Sequence, residues 1–224
     1  MPFLELTKFD ADIKKSYKDY CLIGIDEVGR GSLAGPVLAC AFSWKKNNIP
    51  NFKGAVPNSL IKLNDSKKLN PLERDSLFIE LQELGHYAVG SASVEEIDKL
   101  NILQATYLAM RRAYEKLLKK IRIKSSVTYV LIDGNKFNPY INSMQLPIIG
   151  GDAKSSVIAS ASIIAKVTRD EEMKKIGKQK KYKNYDWENN VGYGAPNHLK
   201  AIRENGTTSL HRRLFVRKVL ASSL

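Results

Sequence analysis

The chain has 224 residues, enough for one large domain or for a domain with a small appendage. Hydrophobic residues make up 43% and charged residues 26%, an ordinary globular balance that can bury a core without staples. Lys and Arg total 36 against 23 Asp and Glu, so the formal charge is +13, which points to a polyanion, most commonly nucleic acid. No apolar run approaches membrane-spanning length, so no membrane association is expected.

In chain order, residues 1–20 carry acids and lysines throughout without an apolar stretch, so no secretory signal is expected. Residues 22–26 predict a short buried strand, and residues 35–44 a second, entered through a Gly-Pro turn. Residues 45–57 are rich in Lys, Asn, Pro and Gly and read as a loop. Residues 86–92 predict a third strand, and three early strands joined closely suggest an antiparallel meander. Cys21 and Cys40 lie in apolar runs without C-x-x-C spacing, as buried free thiols of a reducing cytoplasm would.

Ser93 and Glu96 have capping-box spacing. Behind them Ile97, Leu100, Leu103, Tyr107, Met110, Tyr114, Leu117 and Ile121 form one helical stripe over about 25 residues. Lysines and arginines crowd its C-terminal end, where the helix dipole favours cations. Residues 127–132 predict a buried strand ending at Asp133-Gly134, and residues 145–149 another ending at Gly150-Gly151-Asp152. A second long helix is predicted from Ser155 to about Gly177, small-sided in its first half and so able to approach a neighbour closely. A third starts near Pro196 and ends before Gly206. Residues 210–224 carry Arg212, Arg213, Arg217 and Lys218 among apolar residues. Strands first, then strands and helices mixed, predict an α/β domain with a mixed sheet.

Acids stand at three predicted strand ends: Asp26 with Glu27, Asp133, and Asp152. Ligands of open α/β sheets gather at strand ends. Hard divalent cations take carboxylates, water and substrate phosphates. Four carboxylates could hold two such ions, which activate a water and stabilise the leaving oxygen in phosphoryl displacement. Taken alone, Asp152 reads as a helix N-cap, and Asp133-Gly134 reads equally as a turn. Asp26-Glu27 between a buried strand and Gly29-Arg30-Gly31 is harder to explain as a turn, and the joint occurrence favours a site.

These residues carry a family resemblance. The run Gly24-Ile25-Asp26-Glu27-Val28-Gly29-Arg30-Gly31-Ser32-Leu33-Ala34-Gly35-Pro36-Val37 resembles the ribonuclease HII signature. So do Asp65-Ser66-Lys67-Lys68-Leu69, Ile132-Asp133-Gly134, Gly151-Asp152-Ala153-Lys154 with the run 159–170, Gly192-Tyr193-Gly194 with His198, and His211-Arg212-Arg213-Leu214-Phe215, in the family's order. The sister ribonuclease HIII family differs in having Glu at the fourth acidic position, where this chain has Asp152.

The resemblance implies an RNase H-like fold: a central mixed five-stranded sheet flanked by helices, with a C-terminal helical region. It implies a catalytic domain over residues 1–180 and a substrate-binding helical extension over 181–224, packed on the same domain. The implied activity is cleavage of RNA in RNA/DNA hybrids and incision 5′ of ribonucleotides embedded in duplex DNA. It implies Asp26, Glu27, Asp133 and Asp152 as catalytic carboxylates for two Mg²⁺ or Mn²⁺ ions. The job of reading the 2′-hydroxyl falls to the backbone of Gly29, Arg30 and Gly31 with Tyr193, an aromatic ring that could stack on the next sugar. Ser66 and Lys67 are candidates for phosphate contacts. Arg169-Asp170 is expected to support the site, with Asp170 reading equally as an ion-paired structural residue, and His198 and His211 to make structural hydrogen bonds. Residues 212–218 either grip substrate or dock a replication-clamp or repair partner. A cytoplasmic monomer is expected. Val191 and Ala195 depart from the Lys and Thr that often flank Gly-Tyr-Gly, removing a cation and a hydroxyl near the substrate. Two rival readings are another RNase H-like nuclease acting on DNA junctions and a non-catalytic basic RNA-binding protein.

Overall fold

The computed structural model describes residues 2–45, 60–63 and 69–221. Its strands are β1 (Cys21–Val28), β2 (Val37–Trp44), β3 (Gly85–Ala92), β4 (Thr128–Asp133) and β5 (Met144–Ile148). They form one sheet in the order β3-β2-β1-β4-β5. The first three pair antiparallel, while β4 and β5 add in parallel on the other side of β1. The expected mixed five-stranded sheet is therefore present.

Helices α1 (Pro2–Ser16), α2 (Pro71–Leu84), α3 (Val94–Leu100), α4 (Ile102–Ile121), α5 (Ser156–Gly177), α6 (Trp187–Asn190), α7 (Pro196–Asn205) and α8 (Arg213–Ala221) surround it. Covering both faces makes the central strands read as continuous apolar runs. The period of two then sorts them: Cys40, Phe42 and Trp44 pack with α5, while Val37, Ala39 and Ala41 pack with α4. The small-sided half of α5 lies directly on β1. A Cβ added at Gly24 would stand 2.2 Å from the carbonyl carbon of Val157, so only glycine permits this contact.

The structure departs from the sequence reading in three places. First, α1 lies in the charged segment 2–16, with Phe3, Leu6 and Asp10 turned inward. Second, the link from β2 to β3 is long and contains α2, so the meander is not tightly joined. Asn70 and Glu73 form the capping box of α2 around Pro71, a signal that was present in the sequence. Third, the single helix predicted behind Ser93 is two. Asn101 has φ 72°, donates its N–H to the Ile97 carbonyl, and accepts with its side chain from Leu103 N and Gln104 N. The side chain takes both N–H groups at the start of α4, which holds Asn101 at this positive φ, so it ends α3 and starts α4 without breaking the apolar stripe.

Beyond α5 a third apolar cluster forms around Trp187, which stacks on Tyr185 with ring centroids 5.4 Å apart. Leu33 and Ala34 belong to it, so the loop after β1 is sealed against the C-terminal helices.

Candidate active site

β1 and β4 run side by side in parallel, with Ile25 opposite Ile132. Asp26 and Asp133 are the next residues on each, so the register alone makes them neighbours. Asp26, Glu27 and Asp133 line one cleft of about 410 Å³ with Gly29, Arg30, Ser162, Lys166 and Tyr193. A larger cavity, about 900 Å³, lies under α1 at the opposite end of the sheet and is mainly apolar. The smaller cleft is the candidate site, because it gathers carboxylates and cations together.

Asp26 is 6% exposed, and burial pushes its carboxyl well above the usual range, with the charges of Glu27 and Asp133 adding to the shift. Burial also raises Glu27, against the opposing pull of Arg30, whose Nη1 donates to Glu27 Oε1 at 3.1 Å. Asp133 Oδ1 accepts from Gly151 N at 2.7 Å, tying the end of β4 to the strap that carries Asp152. Asp152 itself is 7% exposed, sits in a short 3₁₀ turn, and is not among the residues lining the cleft. Nor is it a helix cap: Ser155 is the N-cap of α5.

The two glycine-containing motifs meet beside these acids. Leu33 N and Ala34 N both donate to the Gly192 carbonyl, at 2.9 and 3.2 Å. Gly192 has φ 84°, and a Cβ there would stand 2.7 Å from Ala34 O. Gly29 has φ 86° and lies against Arg169, whereas Gly31 faces open space, leaving its backbone accessible. The Tyr193 ring is half-buried over Arg169 (5.2 Å) and Lys166 (5.5 Å).

The Ribonuclease HII family model matches residues 23–218. The chain belongs to the ribonuclease HII family. Ribonuclease HII of Fusobacterium nucleatum is 47% identical over 201 residues, 89% of this chain and 87% of that protein. Two solved structures share the fold. The ribonuclease HII of the PCNA:RNase HII complex from Archaeoglobus fulgidus has a TM-score of 0.64 at 22% identity, covering 86% of this chain and 94% of that one. Bst-RNase HIII in complex with Mn²⁺ has a TM-score of 0.66 at 19% identity, covering 92% and 70%. Family membership makes the chain a divalent-metal-dependent endonuclease with ribonuclease activity on RNA/DNA hybrids.

The cleft fits such an ion by the chemistry of its donors. Carboxylate oxygens are the hard ligands that Mg²⁺ and Mn²⁺ prefer, and a cation would relieve the mutual repulsion that raises Asp26. Among the described residues, no three His, Cys, Asp or Glu side chains are gathered into a preformed cage. As they stand, the acids turn to protein partners, Glu27 to Arg30 and Asp133 to Gly151.

Of the supports of this candidate site, Arg169 was expected from the sequence and Arg212 was not. Arg169 and Arg212 are both fully buried. Arg169 donates to Pro36 O, Val191 O, Ser32 Oγ and Ala34 O; Arg212 donates to Gly35 O, Arg30 O and Pro36 O. Burial, then the Arg169 charge, pushes Arg212 down to about 9. Arg212 is thus a strut under the Gly29–Pro36 loop rather than part of an exposed basic tail; Arg213 is exposed, near Asp98. Asp170 pairs with Lys166 at 2.9 Å, so the support expected of Arg169-Asp170 comes directly from the arginine. Lys166 and Ser162 were the missed cleft residues; their i, i+4 spacing along α5 was the available signal. Ser66 and Lys67 lie outside the described residues.

His198 and His211 make the expected structural hydrogen bonds. Trp187 Nε1–H can only donate, so His198 Nε2 accepts and His198 Nδ1–H donates to the Tyr193 carbonyl at 2.8 Å. His211 Nδ1 accepts from Thr208 N, leaving its Nε2–H to face His198 Nε2 at 3.2 Å. Both rings are neutral. Burial, then His198, pushes His211 down to about 4 from 6.5. A depressed folded value contributes stability that is full above 6.5 and lost as pH falls toward 4. The unfolding free-energy gap between wild type and His211→Asn is therefore expected to shrink by about 3 kcal/mol from pH 7 to 4. Denaturant titrations of both proteins check this, and a pH-independent gap contradicts it.

Proposed function

We propose that this enzyme incises duplex DNA on the 5′ side of an embedded ribonucleotide, leaving a 3′-hydroxyl and a 5′-phosphate, as well as cutting hybrids. The observation that carries this is the sharing of one cleft by Asp26, Glu27 and Asp133, the Gly29–Arg30 backbone and Tyr193. Acids suited to metal-assisted hydrolysis stand beside groups suited to testing a sugar edge.

In this reading Asp26, Glu27, Asp133 and Asp152 would hold two Mg²⁺ or Mn²⁺ ions. The ions, when bound, supply Lewis-acid activation of water and stabilisation of the leaving oxygen. The chain's own residues do the selection. Backbone groups of Gly29, Arg30 and Gly31 reach the 2′-hydroxyl, a donor and acceptor that DNA lacks. Tyr193 stacks on the following deoxyribose, while Ser66, Lys67 and Lys166 hold phosphates, which position rather than specify. Residues 1–180 form the catalytic body and 181–224 a substrate-binding extension. The C-terminal segment docks a replication-clamp or repair partner, a use favoured over substrate grip by the burial of Arg212 and by the clamp complex of the Archaeoglobus enzyme. We place the protein in the cytoplasm as a monomer.

The test is cleavage of a duplex carrying one ribonucleotide. One incision 5′ of that nucleotide is expected with Mg²⁺ or Mn²⁺, and none with chelator or on all-DNA duplex. Equal cutting of all-DNA junctions would instead favour the junction-nuclease reading, and metal-independent binding without cleavage the RNA-binding one.

A further inference from the structure

We propose that Asp10, on the helix preceding the segment matched by the family model, is a positioning residue that sets where α5 and the strap bearing Asp152 sit. This rests on Asp152 belonging to the active site. Asp10 is 6% exposed, and among the described residues no cation pairs with it. Its carboxylate instead accepts from Ser155 Oγ at 2.7 Å, Ser156 Oγ at 2.5 Å and Val157 N at 3.1 Å, all at the start of α5. A carboxylate there meets unpaired N–H groups and the positive end of the helix dipole.

The hydrogens in this network run one way. Trp44 Nε1–H donates to Ser156 Oγ at 2.9 Å, and Ile158 N–H to Ser155 Oγ at 3.4 Å. Both hydroxyls therefore pass their own protons to Asp10, the common acceptor. Burial pushes Asp10 up to about 6, so these donors are what keep it an anion near neutrality.

What the tie positions follows from α5. Its first half packs its backbone directly on Gly24 of β1, so a small displacement of its start is carried along the helix. The same helix places Ser162 at Asp26, Lys166 in the cleft and Arg169 under the Gly29 loop. The strap before it is pinned by Asp133 at Gly151 and closed by Ser155 N donating to Gly151 O at 2.8 Å. Asp10 thus holds the far end of a strap whose near end is held by Asp133. Asp10, Ser156 and Val157 also line the cavity of about 900 Å³, which gives that end room to shift once the tie is cut.

Asp10→Asn puts an NH₂ where a hydroxyl must donate. On the singly ribo-substituted duplex its kcat is expected to fall tenfold or more, with KM within threefold of wild type. In metal-free protein, amides 150–158 should exchange faster while those of β1 and β4 stay protected. Trp44→Phe is the control: it removes one donor to Ser156, lowers the melting temperature, and should keep kcat within twofold. If Asp10→Asn fails to fold, Ser155→Ala carries the same test. Full kcat in these variants, or an equal kcat loss in Trp44→Phe at matched stability, overturns the proposal. Asp152→Asn is assayed in parallel. Wild-type cleavage by it would remove the underlying site reading, whereas an inactive Asp152→Asn beside a fully active Asp10→Asn removes the tie alone.

Discussion

Asp26→Asn is expected to abolish turnover, by at least ~10³-fold in kcat, or about 4 kcal/mol of transition-state stabilisation. Asn keeps the shape of the side chain and one carbonyl oxygen that can accept from Glu27 N, as Asp26 Oδ1 does at 2.7 Å. It removes the charge on which an ion would depend. The effect on the fold should have the opposite sign. Ionising Asp26 is costly because it is buried beside Glu27 and Asp133, so the neutral amide relieves repulsion in the metal-free protein. The metal-free variant should melt no lower than wild type. Its affinity for duplex should stay within about threefold, because phosphate contacts dominate affinity. Single-turnover cleavage, calorimetric melting and fluorescence anisotropy check the three parts. Cleavage within tenfold of wild type would sink the assignment of Asp26, and a loss of folding would make the lost activity structural.

Tyr193→Ala is expected to lower cleavage at a single ribonucleotide by about 100-fold while changing duplex affinity by less than about threefold. The turn does not need the ring to keep its shape. Tyr193 N donates to Asn190 O at 2.9 Å, and its carbonyl accepts from His198. Arg169 keeps its acceptors in Pro36, Ser32, Ala34 and Val191 when the ring above it is gone. The stability loss should therefore be limited to ring packing and two cation–π contacts, on the order of 1–2 kcal/mol. Tyr193→Phe keeps the stacking surface and should retain most of the cleavage. Parallel losses of affinity and cleavage in Tyr193→Ala, measured by anisotropy and cleavage kinetics on one duplex, would argue against a selective role.

The sequence alone determined the sheet and the acids at its ends. Short apolar runs bounded by Gly and Pro located the strands and put the acids at their ends; the parallel register of β1 and β4, seen in the structure, makes Asp26 and Asp133 neighbours. It also predicted α5 and α7 with their starts and ends close to those observed, because caps and proline leave local marks. Asn101 was misread because its left-handed φ leaves the apolar stripe in phase, so one helix and two look alike.

Only the tertiary structure decided how the motifs are held. Arg212 read as part of a basic tail and Arg169 as a support whose contacts the sequence left open, yet both are buried under the Gly29–Pro36 loop. Their acceptors are nearly all backbone carbonyls, which every residue carries and which leave no mark in the sequence. The same holds for the Gly192 carbonyl that joins the two glycine motifs. Asp10 looked like one more acid in a charged segment, and Asp152, a helix cap when taken alone, was read as a fourth site carboxylate although it does not line the cleft. Which acids face the cleft, and which brace it, depends on contacts between residues far apart in the chain, and local pattern does not encode these.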